Sequence, residues 1–299
     1  MMEHAVAKAK SKPKSKSKAG KGKPKGKKKA AKGKRKKKTK AQQADHHLLY
    51  QNAVQTPEAD VEFFTRVFKE LRGRKPKSLR EDFCGTAYLS STWVASAKAR
   101  TAIGIDIEQS VLDWGREHNV APLKDAAKRV SLHCANVLDG VGDQADVCCA
   151  MNFSYQVFHT RELLKQYFKV AYDKLVGDGL FFTELYGGFE GGDELEEERE
   201  CDGFTYIWQQ AKFNPIDHRT LCHIHFEFDD GSKIRKAFTY DWRLWSIPEL
   251  RELLEEVGFS DVKVYWEAVD KDGDGTGEFY ETKSEENQES WLVYIVGVK

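Results

Sequence analysis

Apolar residues along the chain follow two different spacings. From Leu48 to Leu71 they recur at helical intervals, and Pro57 interrupts the pattern, which predicts two short helices. After Leu71, short apolar runs alternate with amphipathic segments, and this alternation predicts βαβ units and a parallel sheet. We expect strands at Lys77–Phe83, Thr101–Ile107, Arg129–Ala135, Ala145–Met151 and Gly179–Tyr186, and helices at Tyr88–Ala97, Ser110–Asn119 and Arg161–Leu175.

The pattern changes after Tyr186. Gly187–Glu200 is rich in glycine and acidic residues, so we expect a loop there, with Asp193–Glu200 as a mobile, solvated segment near the mouth of the site. The remaining elements are predicted as strands at Phe204–Phe213, Thr220–Asp229 and Lys233–Arg243, a helix at Ser246–Val257 capped by Ser246, and closing strands at Asp261–Ala268 and Ser290–Lys299. The predicted fold class is α/β: a seven-stranded, mostly parallel sheet flanked by helices, with a small antiparallel β insertion after the fifth strand, at about residues 187–245.

Charge divides the 299-residue chain into two parts. Its net charge is +1, but residues 1–40 carry about +18 and the remainder about −17. The basic part has almost nothing apolar to bury, so we expect residues 1–43 to be a disordered tail and residues 44–299 to form one domain. Lysine-rich tails bind phosphates by releasing counterions, which predicts non-specific contact with nucleic acid or another polyanion through residues 8–40. The alternative is a solvated tail without a partner.

The sequence lacks the features that would indicate secretion, a membrane span or a cysteine-bound metal. There is no apolar signal segment and no apolar run of about 18 residues, so we expect a cytoplasmic protein, or a nuclear one in a eukaryotic cell because of the basic run Lys34–Lys38. The six cysteines form no CxxC pair, which favours reduced thiols. Asp270–Glu281 has oxygen ligands at the spacing of a calcium loop, but its flanks are predicted strands. We therefore expect no metal site.

Polar residues stand at the carboxyl ends of successive predicted strands. The first strand runs through Leu79–Ala87 into a Cys-Gly-Thr turn, where Gly85 would allow a ligand to approach the backbone. Asp106, about 20 residues further on, could accept hydrogen bonds from two ribose hydroxyls, and Asn136 and Asn152 follow the third and fourth strands. The turn lacks the G-x-G-x-x-G pattern that a dinucleotide pyrophosphate needs, so a nicotinamide cofactor is disfavoured.

These motifs resemble those of class I S-adenosylmethionine-dependent methyltransferases, and the small-molecule branch that includes glycine N-methyltransferase-like enzymes is the nearest. In that family an acid precedes a loop of the Gly-Cys-Gly-Thr-Gly kind. Here Phe83 and Ala87 stand in place of the outer glycines, and either Glu81 or Asp82 could be the acid, with straight alignment favouring Glu81. The resemblance implies a Rossmann-like fold, S-adenosylmethionine as cofactor, and an adenine contact by Asn136. The expected cofactor-binding residues are Tyr50, Glu81, Asp82, Cys84, Gly85, Thr86, Asp106, Ile107, Asn136, Val137 and Asn152.

Methyl transfer from a sulfonium is an in-line displacement that needs alignment and exclusion of water but no dedicated base. From their position after the fourth strand, Asn152 and Tyr155 are the candidate catalytic residues. The expected substrate contacts are Tyr155, His159, Tyr186, Trp208 and His223, with Glu184 and His225 as further candidates.

The sequence favours a small-molecule acceptor. It has no Asp/Asn-Pro-Pro-Tyr/Phe motif after the fourth strand to hold a flipped base, no Pro-Cys nucleophile, and a body whose negative charge repels phosphate. Two alternatives remain open. One is a methyltransferase of RNA, DNA or protein that is tethered by the basic tail. The other is a nucleic-acid-associated protein that binds S-adenosylmethionine without catalysis.

Overall fold

The computed structural model describes residues 37–271 and 273–299, which form two β-sheets and six α-helices. The strands are β1 (Ser78–Asp82), β2 (Thr101–Asp106), β3 (Val130–Cys134), β4 (Ala145–Ala150), β5 (Leu175–Gly187), β6 (Leu195–Cys201), β7 (Phe204–Asn214), β8 (Arg219–Glu227), β9 (Lys233–Arg243), β10 (Asp261–Val269), β11 (Gly275–Thr282) and β12 (Trp291–Val298). The α-helices are α1 (His46–Val54), α2 (Pro57–Arg72), α3 (Tyr88–Ser96), α4 (Gln109–Gly115), α5 (Arg161–Asp173) and α6 (Ile247–Val257).

The larger sheet has eight strands in the order β11-β10-β12-β5-β4-β1-β2-β3. Strands β1 to β5 are parallel to one another, and β12 inserts antiparallel between β5 and β10. Apolar side chains from both faces are buried, under α2 and α3 on one side and under α5 and α6 on the other. The predicted α/β class and mostly parallel sheet are therefore confirmed. The carboxyl ends of β1, β2, β4 and β5 meet at one edge.

The smaller sheet, which we call the lid, is antiparallel in the order β6-β7-β8-β9. Leu49 and Ala53 of α1 pack against Phe204, Ile224 and Phe226 on its inner face. The lid is thus attached by a helix that precedes the core in sequence and by β9, which leads directly into α6. This is the predicted antiparallel insertion, with one strand more than expected.

Two strands were missed, and both lie at sheet edges. Strand β6 lies inside the segment predicted as a mobile acidic loop, and β11 lies in the predicted connection between the closing strands. Strand β6 contains four glutamates, and its order comes from pairing with β7 rather than from an apolar face of its own. The large sheet consequently has eight strands instead of seven.

Part of the segment that was predicted as a tail contacts the lid. Residues 1–36 lie outside the described residues, but residues 40–43 form a turn against the lid. The Lys40 amide donates to Asp230 (2.8 Å), the Ala41 amide donates to Ser232 (3.0 Å), and the Lys40 ammonium pairs with Asp229 (2.7 Å). Lys40 and Ala41, which were predicted to belong to the tail, therefore contact the lid. None of the helices within residues 37–271 and 273–299 combines the length and apolarity that a membrane span requires.

Candidate active site

The turn after β1 contains one glycine but three residues in the left-handed region of backbone conformation. Phe83, Gly85 and Ala87 have φ values of 58°, 51° and 54°, all in the left-handed region. Such a conformation costs a non-glycine residue roughly 1–3 kcal/mol and persists only where surrounding contacts enforce it. The two residues that stand where the outer glycines would be therefore hold a conformation that glycine adopts without strain, and at Gly85 no heavy atom outside the adjoining residues lies within 4 Å of the position a Cβ would take.

Neighbouring elements hold this loop from three sides. The Gly85 amide donates to the Asp106 carboxylate (2.8 Å), Gln51 of α1 donates to the Thr86 hydroxyl (2.7 Å), and Asn119 donates to the Thr86 carbonyl (2.8 Å). Within the loop, the Cys84 and Thr86 side chains are buried. The loop, β2 and α1 thus form one connected unit.

Gly115, at the end of α4, lies directly against the backbone of Thr86 in the loop. A Cβ at this position would lie 2.4 Å from the Thr86 carbonyl oxygen, which is backbone and cannot swing away. We expect Gly115→Ala to displace the loop, lower the free energy of unfolding by about 1–3 kcal/mol, and weaken S-adenosylmethionine binding at least tenfold. Gly177→Ala is the matched control because nothing surrounds that position. Urea denaturation and calorimetric titration measure the two effects, and unchanged cofactor affinity in Gly115→Ala would contradict the role assigned to the loop.

Glu81 and Asp82 occupy opposite faces of β1, which separates their roles. Asp82 is 1% exposed and pairs with the equally buried Arg80 (2.9 Å), with the Tyr167 hydroxyl 3.2 Å away. Glu81 faces α3, where it accepts hydrogen bonds from the Ser90 amide (2.9 Å) and hydroxyl (2.6 Å) and lines a pocket. Asp82, one of the expected cofactor ligands, is therefore held in an internal ion pair, and Glu81 is the acid that the structure brings to the pocket.

The pocket lies between α2 and the carboxyl ends of β1, β4 and β5. Its carboxyl groups come from Asp60, Glu81 and Glu184, and Glu184 accepts a hydrogen bond from the Asn152 amide (2.6 Å). Asn152 has a φ of 52°, so the chain turns sharply at this point. The remaining lining residues are Val54, Gln55, Thr56, Pro57, Leu89 and Met151. Within residues 37–271 and 273–299, no three His, Cys, Asp or Glu side chains are arranged to hold a metal ion.

Burial raises the pKa of all three carboxyl groups in the pocket. The pKa of Glu81 is raised to about 8 by desolvation, against the opposing hydrogen bonds from Ser90. The pKa of Glu184 is likewise raised to about 8, by desolvation and then by the nearby charge of Asp60. Desolvation raises the pKa of Asp60 to about 6, against its hydrogen bond with the Tyr294 hydroxyl (2.6 Å). At neutral pH the pocket therefore retains protons that these groups would lose in water.

These raised pKa values predict that stability falls as pH rises. A carboxyl group whose pKa is higher in the folded state keeps a proton that the unfolded chain releases. The free energy of unfolding therefore falls as the pH rises from the unfolded pKa to the folded pKa. Between pH 7 and 8 we expect Glu81 and Glu184 to lower the free energy of unfolding by about 1 kcal/mol each. This window lies above the titration of His47, His223 and His225, whose pKa values are lowered by burial. Urea denaturation across that range measures the slope. Glu81→Gln should halve it, and a stability that rises with pH would contradict the prediction.

The residues expected around the nucleoside lie beside the loop. Both Asp106 oxygens accept backbone hydrogen bonds, from Gly85 and from Glu108 (2.9 Å), and the carboxylate remains partly exposed. Ile107 is 65% exposed and Val137 is buried. The Asn136 side chain caps a single helical turn by accepting from the Leu138 amide (3.0 Å), so the oxygen predicted to contact adenine already has one partner.

Aromatic side chains in contact with one another link β5 to the inner face of the lid. Tyr186 of β5 contacts Phe153 (ring centroids 4.9 Å apart), and Phe153 contacts Trp242 (6.2 Å). Trp242 stacks on Tyr240 (4.4 Å) on the inner face of the lid. The further members of this group, which we call the aromatic wall, are Trp208, beside both lid rings, and Tyr50, beside Phe238. The predicted contacts Tyr50, Tyr186 and Trp208 are thus brought together.

Four other candidate side chains do not line the pocket. Tyr155 is fully buried, and its hydroxyl donates to the Glu184 main-chain carbonyl (2.9 Å), so it supports the site without entering it. His223 and His225 share a face, as predicted, but it is the outer face of the lid, where they bind Thr239 (3.0 Å) and Gln209 (3.1 Å). The cause is the alternation of side chains along β8, which turns Cys222 and Ile224 inward. His159 contacts the Asp241 carbonyl (2.8 Å) and joins the lid to the core.

Sequence reasoning missed Asp60, Phe153, Tyr240 and Trp242. Asp60 lies on α2, before the core, and its place depends on how that helix packs across the strand ends. Phe153 directly follows Asn152, so its position after β4 was an available signal. The two lid aromatics alternate along β9, but the alternation by itself does not reveal which face of the lid turns inward.

Comparison with known proteins identifies the fold. No protein-family model matches the sequence, and no curated protein sequence matches it. Solved structures do match. An S-adenosylmethionine-dependent methyltransferase from Clostridium acetobutylicum has a TM-score of 0.60 at 15% identity, over 83% of this chain and 96% of that one. The sugar N-methyltransferase KedS8 from Streptoalloteichus has 0.56 at 17%, over 90% and 98%.

A third similar structure is that of CalS10, an amino pentose methyltransferase from Micromonospora echinaspora determined with S-adenosylmethionine bound. Its TM-score is 0.59 at 11% identity, over 85% of this chain and 96% of that one. At these identities the likeness concerns the fold, and it extends over the core and the lid together. The chain therefore has the Rossmann-like fold of class I S-adenosylmethionine-dependent methyltransferases.

Proposed function

We propose that this protein is an S-adenosylmethionine-dependent methyltransferase whose acceptor is a small molecule held between the strand ends and the lid. The observation that carries the proposal is the loop Phe83–Ala87, which keeps three left-handed residues and hydrogen-bonds through Gly85 to the carboxylate that ends β2. A loop of this kind beside an acid suits a nucleoside that must lie close to the backbone.

The residues present fit this cofactor. The space beyond Gly85 is open, and Asp106 offers lone pairs to ribose hydroxyls. Glu81 places a carboxyl group beside the same loop, where it can accept from an ammonium group such as that of the methionine moiety. When bound, S-adenosylmethionine supplies a methyl group already activated by the sulfonium. The chain contributes binding, alignment and exclusion of water, the last through the aromatic wall and the lid.

A small acceptor suits the enclosure. Three carboxyl groups line the pocket and no Lys or Arg side chain in the described part of the chain does, so the pocket offers no cation that could pair with a phosphate. Two of the similar structures are described as a sugar methyltransferase and an amino pentose methyltransferase. The acceptor atom in this proposal is a nitrogen or an oxygen. Asn152, which lines the pocket after β4, would help to align it with the methyl group.

The test is methyl incorporation by the full-length protein. Labelled S-adenosylmethionine is incubated with the protein and with three fractions of a cell extract: small metabolites, total RNA and total protein. Label in the metabolite fraction supports the proposal. Label in RNA or protein would instead favour the tethered enzyme suggested by the charge of about +18 on residues 1–40. Cofactor binding without transfer to any fraction would identify a non-catalytic binding protein.

A further inference from the structure

The helix α1 lies between the lid and the loop Phe83–Ala87, and it presents a different face to each. Leu49 and Ala53, about one helical turn apart, pack into the apolar cluster on the inner face of the lid. Gln51 is two residues from each of them, which places its side chain on the opposite side of the helix. There it is 6% exposed and donates a hydrogen bond to the Thr86 hydroxyl of the loop (2.7 Å). The helix therefore joins the lid to the loop through opposite faces.

The helix α1 is too short to be stable alone. It has nine residues, and isolated helices shorter than about 12–15 residues are marginal in water. On the lid side, Leu49 and Ala53 pack against Ile224 of β8 and two phenylalanines of the lid. Strand β6 adds a polar contact, because the Arg199 guanidinium donates to the Ala53 main-chain carbonyl. Docking on the lid therefore stabilises α1.

The loop Phe83–Ala87 also depends on contacts from outside. Phe83 and Ala87 are not glycines, yet their φ values are 58° and 54°, a conformation that surrounding contacts must enforce. The Thr86 side chain between them is buried, and Gln51 holds its hydroxyl. Without Gln51, the strained backbone loses one of the contacts that enforce its course. The lid thus stabilises the helix, and the helix stabilises the loop.

We propose that α1 couples the lid to cofactor binding, and that Gln51 transmits the position of the helix to the loop. When the lid is docked on α1, Gln51 holds Thr86, and the loop keeps the conformation that receives the cofactor. When the lid separates, α1 loses its packing and Gln51 no longer holds the loop. Gln51 is a positioning residue, since it acts through Thr86. The inference rests on the proposed function, in which this loop receives S-adenosylmethionine.

Coupling of this kind acts in both directions. If docking of the lid raises cofactor affinity by a given factor, the bound cofactor favours the docked lid by the same factor. The net contribution of one hydrogen bond such as that from Gln51 to Thr86 corresponds to about fivefold in an equilibrium constant. The lid therefore closes more readily over a site that already holds its cofactor.

Two isoleucines of the lid form a matched pair for the test. Ile224 and Ile207 are each 2% exposed. Ile224 belongs to the cluster that contacts α1, whereas Ile207 pairs in register with His225 on the other face of the lid. Truncation to alanine removes the same side-chain atoms from either position, but only Ile224→Ala removes packing against α1. The comparison therefore separates the contact with α1 from a general loss of lid stability.

Calorimetric titration of the full-length protein with S-adenosylhomocysteine measures the coupling. We expect Ile224→Ala to weaken binding about fivefold and Ile207→Ala to weaken it less than about twofold. Gln51→Met alone should also weaken binding about fivefold. Adding Ile224→Ala to Gln51→Met should weaken it less than about twofold further, because both changes break the same connection. Ile224→Val and Ile207→Val repeat the comparison with a smaller truncation that the fold tolerates more readily.

Amide hydrogen exchange in the cofactor-free protein gives a second readout, which does not depend on the proposed function. We expect the amides of Phe83–Ala87 to exchange about fivefold faster in Ile224→Ala and in Gln51→Met, and within about twofold of wild type in Ile207→Ala. Equal effects of the two isoleucine truncations, or additive effects of Ile224→Ala and Gln51→Met on affinity, would overturn the inference. Failure of S-adenosylhomocysteine and S-adenosylmethionine to bind would overturn the proposed function. The exchange rates would then still decide whether the lid controls the loop.

Discussion

Asp82→Asn is expected to lower the free energy of unfolding by about 3–5 kcal/mol, whereas Glu81→Gln at the neighbouring position should not lower it at pH 7. Asp82 and Arg80 are both fully buried, 2.9 Å apart, and Arg80 also donates to the Val141 carbonyl. Removing one partner leaves the other charge buried without compensation. Glu81 is mostly protonated at pH 7 because burial raises its pKa to about 8, so a neutral amide of the same shape resembles it. Urea denaturation of both variants measures the difference.

Cofactor affinity should show the opposite ranking. We expect Glu81→Gln to weaken S-adenosylmethionine binding about tenfold, because an ammonium group of the cofactor would stabilise the ionised form of Glu81, and the resulting charge-assisted hydrogen bond contributes about 1.5–3 kcal/mol. Asp82→Asn, titrated at low temperature where it remains folded, should bind as wild type. The two variants are each other's control. A stable Asp82→Asn protein that fails to bind the cofactor would show that Asp82, and not Glu81, is the acid of the loop.

Asp106→Ala is expected to weaken S-adenosylmethionine binding about 100-fold or more. The carboxylate would accept from two ribose hydroxyls, each worth about 1.5–3 kcal/mol, and it also holds the Gly85 and Glu108 amides. Asp113→Ala is the matched control, because Asp113 lies exposed on α4 and bonds only to neighbours on that helix and its extension. Calorimetric titration gives both affinities. Wild-type affinity in Asp106→Ala would exclude a nucleoside across the end of β2.

The positions of the strand ends were predictable for a simple reason. Parallel strands have their carboxyl ends at one edge, so acids and amides at those ends must converge whatever the details of packing. Asp106 and Asn152 lie at this edge as predicted, and the strand-end turn at Gly85 lies between them. Phe83 and Ala87 stand where the family has glycines, and both have positive φ values, which glycine adopts most readily.

The sequence could not predict which face of a strand is turned toward the site. Glu81 and Asp82 are adjacent, and only the packing of α3 and α5 on opposite sides of β1 determines that one lines the pocket and the other pairs with Arg80. His223 and Trp208 lie on neighbouring lid strands, yet one faces outward and the other inward. The face depends on strand register, and a shift of one residue would exchange them.

The sequence by itself determined the α/β class, the order of the main elements and the strand-end positions of Gly85, Asp106 and Asn152, because these follow from apolar periodicity and chain direction. The tertiary structure decided the rest. It placed Asp60 of α2 beside Glu81 and Glu184, packed a four-stranded lid against α1, and ordered β6 and β11 by pairing rather than by apolar pattern. Such contacts join residues far apart in the chain. A local sequence pattern therefore does not predict the burial and pairing that stabilise them.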